Sequence, residues 1–463
     1  AGEQEPDVLV ELMGGKVAMN CSVILGYLHG LSKTTPNGPA KSVLRIHENG
    51  NWATGGGKAF AMGDNSTSTD ISGRGAVSNG IIRVEVLGGM FNFNSGLSAG
   101  NSQYSSSEIY CSNGVVRSGT ATWNSGVAYG SAPYVRTGVR KHAVSTFDFT
   151  GPKAKLQTGV ITAGNANHAS NYDYASTYLN FSDGATLEVA CLTNGGNRAT
   201  HTINRLTLDG GILHEQPAVS PADHFVDGRW EICLGAAGGT IAMHNTDKVH
   251  PVLAAIASAE GVTDGGLVVA ADDDAAVLEL TKASTYVGPT LLQKGILRFS
   301  DEGSLPAATA LQLAGGTLEV AGTDVTVASL QLTAPSGISF TKGAKLVVTD
   351  SLTVAEPTVV AVAMSGATKG DRIDIIQVPE ASAAALANII FHTADGSALA
   401  VIGKTVTTAG GVATLTAEFD DPRTMDANWV NPDGGPWATA ANWDGAIVPY
   451  SRPGVKATFA TAA

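Results

Sequence analysis

Charge is scarce in this chain, and most of it is negative. Asp, Glu, Lys and Arg together make up 15% of the residues, and the formal net charge is −13. Nucleic acid and anionic lipid are both bound through Lys/Arg surfaces, so neither is expected as a partner. No run approaches 18 uninterrupted apolar residues, so no segment is expected to span a membrane as a helix. Proline is modest at 18 residues beside 56 glycines, which argues against collagen or a Pro-rich linker and for tight turns between short strands. There are four cysteines, Cys21, Cys111, Cys191 and Cys233, with no C-x-x-C pair, and this removes zinc binding by local spacing. The last three fall in candidate strands. Buried small hydrophobes and one or two disulfides both fit them. The sequence opens Ala1-Gly2-Glu3-Gln4 without an initiator Met. With sparse Lys and abundant Thr, Asn and Ser, this leads to the expectation of a secreted, extracellular protein with its signal peptide removed.

What the chain does have is internal repetition. "IIRVEVLGGMFNF" from Ile81, "TYLNFSDGATLEVA" from Thr177, "RLTLDGGILH" from Arg205, "LLQKGILRF" from Leu291 and "LQLAGGTLEV" from Leu311 share one form. Each is an alternating strand, a short corner holding Gly, Asp or Asn, and a second alternating strand. Alternation puts apolar residues on one face. In the last segment Leu311 and Leu313 point one way, Gly315-Gly316 turn the chain, and Leu318 and Val320 point inward again. The expected fold is therefore all-β, a right-handed parallel β-solenoid whose stacked coils bury a continuous core. Asn-Gly and Asp-Gly hairpin signals are rare, which disfavours a barrel or sandwich. The segmentation expected is an N-terminal cap over residues 1–40, irregular long coils over 41–265 and short regular coils over 266–350. A β-rich C-terminal cap with a short helix from Glu380 to Asn388 follows over 351–424, and a Trp-rich tail with a terminal strand over 425–463.

The segment from Ser284 to Phe340 resembles the autotransporter-associated β-strand repeat of bacterial surface proteins. The matching residues are Tyr286, Gly288, Thr290, Gly295, Leu297, Gly303, Ser304, Leu305, Pro306, Leu313, Gly315, Gly316, Leu318, Ser329 and Leu330. The resemblance implies a passenger-type solenoid at the cell surface. That family's outer-membrane barrel does not appear in this sequence, so a rod of this kind is expected to be released or held in another way.

Candidate chemistry is thin. Gly96-Leu97-Ser98-Ala99-Gly100 matches G-x-S-x-G, yet a polar loop follows where a nucleophile elbow needs a helix. Asp272, Asp273 and Asp274 sit at a corner, where Asp272 and Asp274 are candidates for Ca²⁺; a solvated turn is the competing reading, and acidic lyase chemistry a further one. His244 and His250 lie close enough in sequence to share a loop, a further metal candidate. Tyr/Ser/Asn-rich stretches such as "SNYDYASTY" suit sugar stacking or rod-to-rod packing. The tail holds Trp429, Trp437 and Trp443 and then a last strand with Val455, Ala457 and Phe459, too apolar to be free. These six are expected at a subunit interface, where the strand adds to an open sheet of the next copy. The expected function is structural: a head-to-tail filament or surface-layer subunit with no active site and no cofactor. A monomeric adhesin or glycan-binding rod is the alternative, and a polysaccharide-degrading β-helix enzyme a distant third.

Overall fold

The computed structural model describes residues 8–21, 23–25, 41–54, 59–62, 81–93, 96–99, 106–118, 134–137, 143–163, 175–194, 203–216, 223–244, 249–300, 302–354, 356–394, 399–420, 427–429, 442 and 457–459. The fold is a parallel β-solenoid, nearly all strand, with no closed barrel among the described residues. It divides into two compact units, residues 1–245 with 250–265 and residues 246–249 with 266–463.

In the first unit the strands Val8–Leu12, Lys41–Ile46, Ile81–Val86, Ser106–Cys111, Val144–Thr150, Ser176–Ser182, Ile203–Asp209, Glu231–Leu234 and Ile256–Ser258 pair in chain order as one parallel sheet. A parallel neighbour cannot be reached by a hairpin, so each coil must travel round the core before returning. It does so through a second parallel stack, where Thr186–Asn194 lies between Lys155–Ala163 and Gly211–Glu215. Outward ion pairs between adjacent coils show how uneven the circuit is. Arg45 and Glu85 are 40 residues apart, whereas Arg83 and Glu108 are 25 apart.

Registration makes columns. Leu44, Val84, Ile109, Phe147, Leu179, Leu206, Ile232 and Ile256 stand in line across the sheet, and all are buried. Phe149 and Phe181 stack in the next inward column with centroids 4.9 Å apart, close to the strand spacing itself.

The second unit repeats the pattern with shorter coils. Leu267–Ala271, Thr290–Leu292, Ala310–Leu313, Val325–Leu332 and Leu346–Val354 form one parallel stack. Val277–Leu280, Ile296–Phe299, Thr317–Val320, Ser336–Thr341, Thr358–Ser365 and Ile389–Thr393 form the other. Arg298 meets Glu319 across 21 residues and Lys282 meets Glu302 across 20.

The residues that carry the sequence resemblance are packing devices here. Tyr286 is 1% exposed, and its hydroxyl shares a 2.5 Å hydrogen bond with Thr290 Oγ1, which lies 3.2 Å from Thr309 Oγ1 one coil on. Thr309 in turn donates to the carbonyl of Gly288 at 2.9 Å. Gly303 sits so close to the preceding coil that a Cβ there would lie 1.8 Å from the carbonyl oxygen of Leu280. Gly315 turns its corner at φ +132°, a conformation L side chains rarely adopt.

The second unit's first stack ends differently. Arg372–Pro379 pairs parallel with Leu346–Val354, then antiparallel with Val412–Asp420, which in turn pairs antiparallel with Ala400–Ala409. The helix expected over residues 380–388 is shorter, a 3₁₀ turn Glu380–Ser382 and one α turn Ala383–Leu386. It stops because the chain must re-enter the sheet at Ile389–Thr393. Lys404 Nζ holds its end by donating to the carbonyls of Ala387 and Ile389, at 2.9 and 2.5 Å.

Candidate assembly edge

The first described coil is built like the others, but its apolar side chains are exposed. Val10 heads the column continued by Leu44 and Val84. It is 43% exposed, whereas Leu44 is 2% and Val84 0% exposed. Val8 is 52%, Leu9 40% and Met13 69% exposed. The second stack repeats this: Val17 is half-buried where Phe91, two coils on, is sealed. The sequence placed residues 1–40 in an N-terminal cap. Val8–Leu12 is the first described strand of the stack, paired in parallel with Lys41–Ile46.

Charge lines the outer face of this end. Glu11 Oε1 lies 3.1 Å from both Arg45 Nη1 and His47 Nε2. Arg45 Nε donates to Glu85 at 2.6 Å, and Arg83 Nε to Glu108 at 2.7 Å. The His47 hydrogen bond, followed by that of Arg45, holds the Glu11 carboxyl below its ordinary range. Opposite charges thus alternate from coil to coil, the parallel-sheet form of favourable cross-strand pairing.

The C-terminal strand has a partner within the chain. Ala457–Phe459 pairs parallel with Ala427–Trp429, in the register Ala427 to Ala457, Asn428 to Thr458 and Trp429 to Phe459. Parallel pairing at this separation is again a coil-like return rather than a hairpin. Trp429 is half-buried. Trp437, Trp443 and Val455 lie outside the described residues, as do the side chains of Ala457 and Phe459.

The remaining candidates do not converge. Asp272, Asp273 and Asp274 are exposed. Asp273 accepts the amide of Ala275 at 2.9 Å, and Lys294 donates to the carbonyl of Asp272, which makes the corner a braced turn. Among the described residues no three His, Cys, Asp or Glu gather in a metal-binding group. His244 and His250 do approach a common residue, though it is one that the sequence did not single out. Glu215, 1% exposed, lies 3.3 Å from His250 Nδ1 and accepts the backbone amide of His244 at 3.0 Å. Its strand Gly211–Glu215 turns this carboxylate inward by alternation, and "GILHEQ" carried that signal. Gly96–Ser98 is a strand paired on both sides, with no helix following among the described residues. Cys111, Cys191 and Cys233 are buried free thiols and Cys21 is exposed. Cys111 Sγ donates to the Gly114 carbonyl, and burial pushes its thiol up to about 11.

No protein-family model and no curated protein matches the chain. What defines it is geometry: a parallel solenoid whose first described coil exposes apolar side chains, and a coil-like strand pair near the end of the sequence.

Proposed function

We propose that the chain is a secreted structural protein, a subunit of an extracellular filament or surface layer joined head to tail, with the C-terminal strand of one copy completing the stack of the next. The observation that supports this is the exposure of apolar side chains on the first described coil. Val10 is exposed in a column whose other members are sealed, and in a solenoid such a face is buried by a further coil, a cap or a neighbouring copy. A contact between two different surfaces of identical copies does not close on itself by necessity, and when it does not it propagates. The resemblance of residues 284–340 to repeats of bacterial surface proteins fits this setting. Negative-stain electron microscopy of the intact protein and of a variant lacking residues 425–463 tests the reading. Filaments that vanish on deletion support it, and isolated monomers in both samples refute it.

One observation favours the second reading, a glycan-binding rod. Tyr110 is 37% exposed on the outer face, opposite Asp148, which accepts a 2.7 Å hydrogen bond from Asn180. An aromatic face beside amide and carboxylate groups is suited to sugar stacking. Loss of glycan-array binding in Tyr110→Ala, with no filaments in either sample, would move the balance to this reading.

A further inference from the structure

Beyond the filament reading, and independent of it, we infer that the outward face around Arg117 binds an acidic sugar, a carboxylate with a hydroxyl beside it, as in a uronic acid. The carboxylate pairs with the Arg117 guanidinium, and the hydroxyl donates to Asn92 Oδ1. Three observations point to this chemistry. The first is a cation without a partner. Arg45, Arg83, Arg205, Arg298 and Arg372 each meet a carboxylate on a neighbouring strand. Arg117 forms no such ion pair among the described residues, and its Nε is buried without a hydrogen-bond partner. The next acid along its column is Glu188, which the register places two strands on, past Gln157. Glu188 Oε2 already accepts from Lys155 Nζ at 3.2 Å and from Gln157 Nε2 at 2.9 Å.

The second is an acceptor without a donor. Asn92 stands directly opposite Arg117, where strand Met90–Phe93 pairs with Val115–Ser118. Phe91 and Phe93 on either side of it are sealed in the core, so alternation turns Asn92 outward. It is nevertheless 7% exposed, and its Oδ1 has no hydrogen-bond partner. A buried donor or acceptor left unpaired is costly, and a ligand that satisfies both recovers that cost. The ionised side chain of an Asp or Glu from another protein offers acceptors only, so it would serve Arg117 and leave Asn92 as it is. A sugar acid brings the acceptor pair and the neighbouring O–H donor together.

The third is the setting. Met90 and Val115, paired with each other and half-buried, lie two residues back on the same face. They supply apolar surface beside the two polar groups, the usual make-up of a small-ligand site. Arg117 is itself half-buried, so its long side chain is in part open to water. A guanidinium matches the planar fork of a carboxylate better than an ammonium does. The net charge of −13 gives the chain no general attraction for anions, so binding has to come from this arrangement.

Isothermal titration calorimetry of the full chain with oligogalacturonate and oligoglucuronate tests the site, with the carboxyl-reduced form of each as the neutral control. Saturable binding of an acidic oligosaccharide is expected, with its reduced form about tenfold weaker or more. Arg117→Met keeps the stem, removes the cation and should weaken the acidic ligand by the same factor. Asn92→Ala should weaken it too. Because Arg117 Nε is buried unpaired, Arg117→Met should hold or raise the thermal midpoint of the free chain. Arg83→Met breaks the 2.7 Å pair with Glu108, so it should lower the midpoint and leave binding unchanged. No binding of either acid at millimolar concentration, equal binding of the neutral forms, or full affinity in Arg117→Met would overturn the site. A lower midpoint in Arg117→Met would also overturn it, since Arg117 would then have a structural partner. Filament formation enters none of these outcomes, so the filament reading stands or falls separately.

Discussion

Replacing Gly303 by alanine isolates the packing demand that defines the short coils. The added Cβ would sit 1.8 Å from the Leu280 carbonyl oxygen, 2.7 Å from its carbon and 2.9 Å from the Ser300 oxygen. All three are backbone atoms, so no flexible side chain can swing aside. Relief needs a shift of about 1 Å or more between neighbouring coils whose strands sit about 4.8 Å apart. Overpacking of this kind costs about 1–3 kcal/mol. The same oxygen accepts the Ser300 amide at 3.2 Å, and Gly303 donates to Ser300 at 2.8 Å; disturbing these adds about 1 kcal/mol each. A local loss of about 3 kcal/mol corresponds to roughly a hundredfold faster amide exchange. Hydrogen exchange is the right assay because two units need not unfold together. Gly322 is the control: it has φ +77°, but nothing lies within 4 Å of where an added methyl group would stand. Gly322→Ala should cost about 1–2 kcal/mol of backbone strain, confined to its own corner. The reasoning fails if Gly303→Ala leaves exchange in Val277–Leu280 unchanged, or if Gly322→Ala disturbs the preceding coil as strongly.

Tyr286→Phe should destabilise by about 1 kcal/mol, measured as a lower denaturation midpoint, because Thr290 keeps Thr309 as a partner when the phenol is lost. In native protein at pH 8 a maleimide should label Cys21 alone, and the three buried thiols should react only on unfolding. Burial raises the Cys111 pKa to about 11, so the unfolded state releases that proton first and stability should fall as pH rises from about 9 towards 11. A shallower fall over that window in Cys111→Ala than in the wild type checks the sign, the residual slope coming in part from Cys233, whose thiol burial also raises. Asp371 is held down to about 2, first by Lys342 and then by the Thr368 amide. Its contribution is present above the ordinary carboxylate range and is lost as pH falls through about 2. In Lys342→Met its carboxyl resonance should titrate at higher pH, still below an ordinary aspartate because the Thr368 amide remains.

The solenoid was legible because its signal is local. Alternation names the inward face, and a Gly-Gly corner between two alternating runs says that the chain turns without pairing on itself, as Leu311–Val320 does. The Tyr286, Thr290 and Gly303 positions were legible as a pattern but not as physics. Their partners, Thr309 and Leu280, lie one coil away, and only the register brings them together. Glu215 escaped notice for the same reason: its alternation was visible, but its pairing with His250 and the His244 amide comes from a different coil. The exposure of Val8–Val10 was the hardest to read. Val8-Leu9-Val10 has the same composition as a sealed strand, and nothing local distinguishes a strand paired on both sides from one that, among the described residues, is paired on one.

That last point bears on function. In a stack of near-equivalent coils, every interior position is fixed by the coils on either side, so mutation there reports on stability. A strand with one described neighbour is fixed from that side alone. The Ala400–Ala409 edge carries a register shift, Lys404 and a row of threonines, whereas the Val8–Leu12 edge retains aliphatic residues at 40–52% exposure. Exposed aliphatics on an edge strand favour aggregation, and solenoid ends that need no partner are capped by polar residues. If the Val8–Leu12 edge were merely exposed, Val8→Thr and Val10→Thr together should improve solubility and change nothing else. If it is an acceptor, the same pair of substitutions should shorten or abolish filaments at fixed protein concentration, while leaving the exchange protection of Ile82 and Val84 intact.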